Sequence, residues 1–191
     1  DIYIAVAGPM SGPEALFGKA MIKGIQLYLD KINKNGGVDG RDMRLLIFDD
    51  KNDDKKAAEV ASEIIKNKKI LLVIGHFGSS ASMAAGRIYR KNEIAAITAS
   101  ANAASVTMEN ASYFRVQPSD GFQGKFIAHY IVGAFKKRAV CIISDKRWHS
   151  SALAKDFEKT VYDLDVQVQK KWEFDSESER LENDLAKISS E

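Results

Sequence analysis

The chain changes from an apolar run to glycines and hydroxyl side chains in the sequence Ile70-Leu71-Leu72-Val73-Ile74-Gly75-His76-Phe77-Gly78-Ser79-Ser80. Residues 70–73 predict a short strand buried on both faces, which Gly75 ends. Residues 81–89 follow a helical pattern, for which Ser79 or Ser80 is the predicted N-cap. Because the first N–H groups of a helix lack partners within it and the helix dipole is positive there, this corner favours a carboxylate or a phosphate.

A second strand end follows closely in the sequence. Residues 94–98 are apolar and predict a strand, and residues 99–105 are small and polar. Ligands of open parallel sheets bind outside the carboxyl ends of the strands. We therefore expect the segments that begin at Gly75 and at Ala99 to face one crevice.

Strand and helix patterns alternate along the whole chain. The predicted strands are residues 2–7, 43–48, 70–73, 94–98, 113–116, 139–143 and 166–172. The predicted helices are residues 15–33, 53–67, 81–90, 122–135, 151–163 and 178–189. With right-handed crossovers, this order predicts an α/β fold of parallel sheets flanked by helices.

The alternation is interrupted by residues 117–121, which read Gln117-Pro118-Ser119-Asp120-Gly121. We predict an N-terminal lobe at residues 1–116 and the first part of a second lobe at residues 117–191, with a hinge near 116–120. The second block has only two strands, which is few for an independent sheet. We therefore expect the second lobe to be incomplete and the chain to be a fragment.

The composition indicates a folded domain with a sizeable core, since 45% of the 191 residues are hydrophobic. The net charge of +2 is spread along the chain, so no nucleic-acid-binding stripe is expected. The lone cysteine, Cys141, lies in an apolar run and is expected to be a buried, inert thiol. No run approaches a membrane span, and the chain opens directly on a strand, as expected of a protein whose signal peptide has been removed.

The sequence matches neither a nucleotide-binding motif nor a hydrolase motif. The segment from Gly12 to Gly18-Lys19-Ala20 has five intervening residues where a phosphate-binding loop has four, and it lacks the final hydroxyl. A hydrolase would recruit Ser79, His149 and Asp145, but the flanking glycines of a nucleophile elbow are absent around Ser79. An enzyme that acts on a small anion through Ser79 remains the less favoured alternative.

Metal and cofactor sites are not expected. The histidines at 76, 129 and 149 do not pair with each other or with cysteine at metal-ligand spacing. The aspartates at 49, 50, 53 and 54 lack the spacing of a calcium-binding loop and are better explained by a strand end and a helix start.

Four segments together carry a resemblance to a known family. They are Gly8-Pro9-Met10-Ser11-Gly12 with Phe17-Gly18, Asn33-Lys34-Asn35-Gly36-Gly37-Val38-Asp39-Gly40 leading to Phe48-Asp49-Asp50, Val73 to Ser80, and Gln117 to Gly124. In order and spacing they resemble the type I periplasmic solute-binding proteins, and within that family the leucine/isoleucine/valine-binding proteins of ABC transporters. The resemblance extends over the whole chain.

The resemblance implies a set of ligand-binding residues. Ser79 is similar in position to the residue whose hydroxyl and N–H bind the ligand carboxylate, and the Ser100 carbonyl and Asn102 to the groups that bind the α-ammonium. Phe17, Phe77 and Gly78 would border the ligand side chain, and His149 occupies the place of an aromatic hydroxyl in the second lobe. Asn102 and His149 stand where threonine and tyrosine are usual, so the preferred amino acid is left open.

The function implied by the resemblance is non-enzymatic binding of an amino acid, of branched-chain type or a similar small carboxylate. We expect a periplasmic or extracellular protein, with or without a lipid anchor, that closes about its hinge in the manner of a Venus flytrap. Its partners would be the ligand and an ABC-transporter permease, with no nucleic acid. The alternative is the ligand-sensing domain of a membrane receptor, which would instead adjoin a transmembrane module.

Overall fold

The computed structural model describes residues 1–108, 110–146 and 148–175, together with residues 182 and 186. The chain divides into two compact units, Asp1–Gln117 and Pro118–Glu191. The helix predicted at 178–189 lies, apart from two residues, outside the described part of the chain. Within the described residues, no helix combines the length and the apolar character needed to cross a membrane.

Among the residues that the structure describes, the first unit has five strands and four helices in alternation. They are β1 (Ile2–Gly8), α1 (Ala15–Lys34), β2 (Met43–Asp49), α2 (Asp54–Ile64), β3 (Ile70–Ile74), α3 (Ser79–Lys91), β4 (Ala95–Thr98), α4 (Ser105–Met108) and β5 (Tyr113–Arg115). The strands form one parallel sheet in the order β2-β1-β3-β4-β5. The predicted parallel sheet with flanking helices is confirmed.

The strand order reverses between β1 and β3. From β1 the chain moves outward to β2, and it then crosses back so that β3 pairs with the other side of β1. In doubly wound sheets, the carboxyl ends of the strands at this reversal form the crevice where ligands bind. The loop after β1 and the turn after β3 therefore border the crevice.

Small and β-branched residues fill the core of the first unit. Ala57, Ala61 and Ile64 repeat at helical spacing on α2, and Ala81 and Ala85 do so on α3, and all five are buried. The alanines allow the helices to pack closely on the sheet, which explains the near-complete burial of β1. In β3 the expectation of a strand buried on both faces is wrong for Leu71, which is 64% exposed.

Two predicted helix ends need correction. The N-cap of α3 is Gly78 rather than Ser79 or Ser80, because the Ser79 hydroxyl accepts a hydrogen bond from a distant loop instead of capping its own helix. Helix α2 ends at Ile64 rather than near Asn67, because the N–H of Asn67 bonds the carbonyl of Ile64 in a tight turn.

The second unit contains α5 (Asp120–Gly133), β6 (Ala139–Asp145), α6 (Trp148–Asp163) and β7 (Gln167–Phe174). The strands β6 and β7 are parallel, and their Val140 and Val168 pair in register and pack against Ala128 and Val161 of the helices. Helix α5 begins at a serine cap, where the hydroxyl of Ser119 accepts from the N–H of Phe122.

Cys141 is exposed, so the expectation of a buried thiol is wrong. The side chains of strand β6 alternate between buried and exposed, so the strand is not buried on both faces. Ile142 and Ser144 are buried, whereas Cys141 and Ile143 are exposed. Because successive side chains of a strand point to opposite faces, Cys141 lies on the face away from the core of this unit.

Candidate functional site

The turn between β3 and α3 is packed tightly against neighbouring strand ends. Gly75 has a φ of +143°, and a Cβ there would lie 2.1 Å from the carbonyl oxygen of Ala7. A Cβ on Gly78 would lie 2.2 Å from the Oδ1 atom of Asn52. Glycine is therefore required at position 75, whereas a side chain at position 78 would displace the amide of Asn52. The backbone of residues 75–78 lies close against β1 and the loop after β2.

Ser79 lies beside the loop that follows β4. It is the first residue of α3, and its Oγ accepts a hydrogen bond from the N–H of Ala103 at 3.2 Å. From the same loop, the hydroxyl of Ser100 donates to the carbonyl of Phe77 at 2.7 Å. The structure thus brings Ser79, Phe77, Gly78 and Ser100 together at the carboxyl ends of β3 and β4.

The loop after β4 is shaped by Thr98. The buried Thr98 Oγ1 accepts from the N–H groups of Ser100 at 3.3 Å and of Ala101 at 3.0 Å. Asn102 is half-buried in this loop, between the buried Ala101 and Ala103. The Ser100 carbonyl accepts a hydrogen bond from the side-chain amide of Gln117. A carbonyl has two lone pairs, so Ser100 retains the capacity for a second donor.

The aromatic residues predicted for the site come together from opposite sides of the strand reversal. Phe17 lies in the first turn of α1 and is 53% exposed, and its ring stacks on that of Phe77 with centroids 5.0 Å apart. The next residue, Gly18, allows α1 to approach the loop after β1, because a Cβ there would lie 2.1 Å from the carbonyl oxygen of Pro9. The two rings provide an apolar wall next to the polar groups around Ser79.

The loop after β1 is held by Asp49 at the end of β2. Its carboxylate accepts from the Ser11 hydroxyl at 2.5 Å and from the N–H groups of Met10 at 2.9 Å and Lys51 at 3.0 Å. Burial opposes ionisation of Asp49, but the hydrogen bonds from Ser11, Lys51 and Met10 outweigh it and lower the pKa of this carboxyl. The loop that leads to Phe17 is therefore tied to the sheet.

A buried network of polar side chains lies beneath the turn between β3 and α3, on its core side. His76 is fully buried, with Nδ1 2.5 Å from Oδ2 of Asp50 and Nε2 2.9 Å from the hydroxyl of Tyr89. The Tyr113 hydroxyl donates to the carbonyl of Gly75 at 2.6 Å and accepts from the N–H of His76 at 2.8 Å. Ser82 and Thr98 hydroxyls both donate to the carbonyl of His76. The backbone of the turn is thus hydrogen-bonded on its buried side.

Both tyrosines of this network are held neutral. Burial raises the pKa of Tyr113 to about 12, with the charge of Asp50 adding to the rise and hydrogen bonding with Ser82 and with the His76 N–H opposing it. Burial also raises the pKa of Tyr89, and the nearby Tyr113 and Asp50 act in the same direction. The hydroxyls therefore keep their protons for hydrogen bonding into the alkaline range, where an ordinary tyrosine ionises.

Sequence reasoning missed this network and the role of Asn52. Two partners of His76, Asp50 and Tyr113, lie 26 and 37 residues away in the chain. The one available signal was spacing, since Tyr89 follows Ala81 and Ala85 on the buried face of α3. That spacing predicts burial of Tyr89 without identifying its hydrogen-bond partner.

The remaining predicted residue, His149, lies in the first turn of α6, and its side chain is outside the described part of the chain. Over the residues that the structure describes, no group of three or more His, Cys, Asp or Glu side chains is placed to hold a metal ion. The described part of the site is therefore a crevice of backbone amides, hydroxyls and two aromatic rings.

Comparison with known proteins gives consistent matches. A family model described as periplasmic binding protein matches residues 1–178. A leucine-, isoleucine-, valine-, threonine- and alanine-binding protein of Pseudomonas aeruginosa is 33% identical over 168 residues, which are 87% of this chain and 45% of that protein. A Leu/Ile/Val-binding protein of Escherichia coli K12 is 35% identical over 156 residues, 81% of this chain and 42% of that protein.

Solved structures agree with these matches. The branched-chain amino acid substrate-binding protein LivJ of Streptococcus pneumoniae, in complex with isoleucine, is 27% identical with a TM-score of 0.84, and the match covers 100% of this chain and 54% of that one. A leucine-binding protein of Thermotoga maritima is 26% identical with a TM-score of 0.78, and the match covers 100% of this chain and 53% of that one. The chain thus spans about half the length of the relatives that it matches.

Proposed function

The chain belongs to the periplasmic binding protein family, and from this premise we propose that it is part of a protein that binds a branched-chain amino acid for uptake by an ABC transporter. Its relatives are binding proteins rather than enzymes. The single observation that carries the proposal is the position of Ser79, which begins α3 at the strand reversal and lies beside the loop after β4.

The carboxylate of the amino acid binds at Ser79. An α-helix has N–H groups in its first turn that its own carbonyls do not satisfy, and its dipole favours an anion there. The Ser79 hydroxyl adds a donor, because its oxygen accepts from Ala103 while its hydrogen is directed to the ligand. A carboxylate at this position neutralises the positive end of α3.

The α-ammonium binds at the loop after β4. It donates to the second lone pair of the Ser100 carbonyl and to the side chain of Asn102, both on the segment that Thr98 shapes. Phe17 and Phe77 contact the aliphatic side chain and exclude water from it. His149 completes the site from the second lobe after closure about a hinge near residues 116–120.

The partners follow from the same proposal. The protein works in the periplasm or outside the cell, with or without a lipid anchor, and in its closed form it docks on the transporter permease. In the sensory alternative, the same amino-acid site adjoins a transmembrane signalling module. Both roles require the same first step, which is binding of a free amino acid.

The test is isothermal titration calorimetry and thermal unfolding of the full protein with L-leucine, L-isoleucine and L-valine. A ligand at one hundred times its Kd stabilises the folded state by about 2.7 kcal/mol, so the unfolding midpoint must rise. 3-Methylbutylamine lacks the carboxylate of leucine and 4-methylpentanoate lacks its ammonium, and neither is expected to bind. Equal binding of 3-methylbutylamine, or no response to the three amino acids, contradicts the proposal.

A further inference from the structure

One side chain bridges the starts of the two helices that border the crevice. Nδ2 of Asn52 donates to Oε2 of Glu14 at 2.5 Å, and Oδ1 of Asn52 accepts from the N–H of Gly78 at 2.9 Å. Glu14 is the N-cap of α1 and Gly78 is the N-cap of α3. We infer that Asn52 is a positioning residue for the amino-acid site, because it sets the distance between the flank that carries Phe17 and the flank that carries Ser79.

The bridge needs an amide rather than a carboxylate or an ammonium. Gly78 presents a donor and Glu14 presents an acceptor, so the side chain between them must accept on one side and donate on the other. Asparagine has both groups in one plane, whereas aspartate only accepts and lysine only donates. A hydrogen bond to the carboxylate of Glu14 is also stronger than one between neutral groups.

The backbone of Asn52 is fixed by the same turn. Its φ is +55°, a left-handed conformation that asparagine tolerates better than most residues. Its N–H donates to Oδ1 of Asp50 at 2.8 Å, while Oδ2 of Asp50 lies against His76. The loop after β2 therefore holds the β3–α3 turn at His76 through Asp50 and at Gly78 through Asn52.

The bridge fixes the positions of two ligand-contacting residues, Phe17 and Ser79, relative to each other. Phe17 is three residues after Glu14 and its N–H bonds the Glu14 carbonyl at 2.9 Å, whereas Ser79 follows Gly78 directly. Loss of the bridge removes the hydrogen-bonded link between the two helix starts, which then contact each other through the Phe17–Phe77 stack, and it leaves every ligand-contacting residue in the chain. The inference rests on the proposed function for its effect on affinity.

The experiment compares three bridge variants and one control variant of the full protein with the wild type. Asn52→Gly removes the amide and keeps the left-handed backbone, and Asn52→Asp keeps an acceptor for Gly78 but opposes Glu14. In the double variant Glu14→Gln with Asn52→Asp, the amide is at position 14 and the carboxylate is at position 52. Their hydrogen bond is restored with donor and acceptor exchanged, and the carboxylate still accepts from the N–H of Gly78. Lys51→Gly is the matched control, because exposed Lys51 has a φ of +53° in the same turn.

Two measurements are made on each protein: the Kd for L-leucine by calorimetry, and hydrogen–deuterium exchange without ligand over residues 14–19 and 76–82. Both single Asn52 variants are expected to weaken binding about tenfold, because the ligand groups on the two flanks are no longer held at a fixed distance, and to speed exchange in both segments. Lys51→Gly should change neither, and the double variant should return the Kd to within about threefold of the wild type. Such rescue is not expected if Asn52 merely supports the fold.

Two results would overturn the inference: exchange in both segments as slow in Asn52→Gly as in the wild type, or wild-type affinity in both single variants. Failure of the double variant to recover would also count against the bridge. If the wild type binds no aliphatic amino acid, the proposed function fails. The exchange of the ligand-free proteins still decides whether Asn52 holds the two helix starts.

Discussion

The ring of Phe17 stacks on the ring of Phe77, with centroids 5.0 Å apart and planes inclined by 20°. The two residues follow β1 and β3, which are neighbours in the sheet at the point where the strand order reverses. The crevice at the reversal therefore has an aromatic wall built from both of its sides. Because Phe17 is 53% exposed, its ring is available to contact a ligand as well as Phe77.

Phe17→Ala is expected to weaken binding of L-leucine by about 1 kcal/mol, in the range of an aromatic contact, and to lower the free energy of unfolding by less than that. Calorimetry and urea unfolding measure the two effects. Leu16→Ala is the matched control, because Leu16 lies in the same turn and is 75% exposed. An equal loss of affinity in both variants would argue against a specific role for Phe17.

Ser79→Ala is expected to weaken L-leucine binding by roughly 1.5 to 3 kcal/mol, the range for a hydrogen bond to a charged group. It also removes the acceptor for the N–H of Ala103, so the free energy of unfolding should fall by about 1 kcal/mol. Ser80→Ala, at the exposed neighbouring position, is the control. If Ser79→Ala binds like the wild type, the carboxylate lies elsewhere.

The order of elements was predictable because helix and strand periods are local properties of the sequence. The run 70–73 predicted β3 to within one residue, and the apolar spacing after Glu14 predicted α1. What local patterns cannot give is the partner of a polar side chain. The local sequence predicts that Ser79 or Ser80 caps α3, yet the N-cap is Gly78 and the Ser79 hydroxyl accepts from the N–H of Ala103, 24 residues along the chain.

The buried network shows the same limit. The sequence around Asp50 indicates a strand end, and nothing near it predicts that its carboxylate is buried against His76. The prediction that Cys141 is buried is wrong for a different reason. A continuous apolar run predicts burial on both faces, but the described part of the second unit covers only the face of β6 that carries Ile142.

Gly75→Ala is expected to destabilise the first unit by more than about 3 kcal/mol, because the new Cβ would lie 2.1 Å from the carbonyl oxygen of Ala7 at a φ of +143°. Urea unfolding measures the change. Gly24→Ala is the control, since it lies within α1 with nothing within 4 Å of a new Cβ, and alanine there should stabilise by about 0.5 to 1 kcal/mol. A Gly75→Ala variant as stable as the wild type would contradict the tight approach of β3 to β1.

The pKa of Tyr113 predicts how stability depends on pH in the alkaline range. Its pKa rises from 10.0 to about 12 on folding, so between these values the unfolded chain has lost a proton that the folded chain retains. The contribution of Tyr113 is therefore fully present below pH 10 and is lost as the pH rises towards 12, by up to about 2 to 3 kcal/mol.

Tyr113→Phe should lower stability at pH 8 by about 1 to 3 kcal/mol, because the Gly75 carbonyl and the His76 N–H lose their partner. The same variant should lose less further stability between pH 9 and about 11.5 than the wild type does, since the proton that Tyr113 retains on folding is gone. Urea unfolding at intervals of pH measures both slopes, and Tyr28→Phe, at a side chain that is 64% exposed, is the control. Parallel slopes for wild type and Tyr113→Phe would mean that the hydroxyl of Tyr113 is not held neutral by burial beneath the β3–α3 turn.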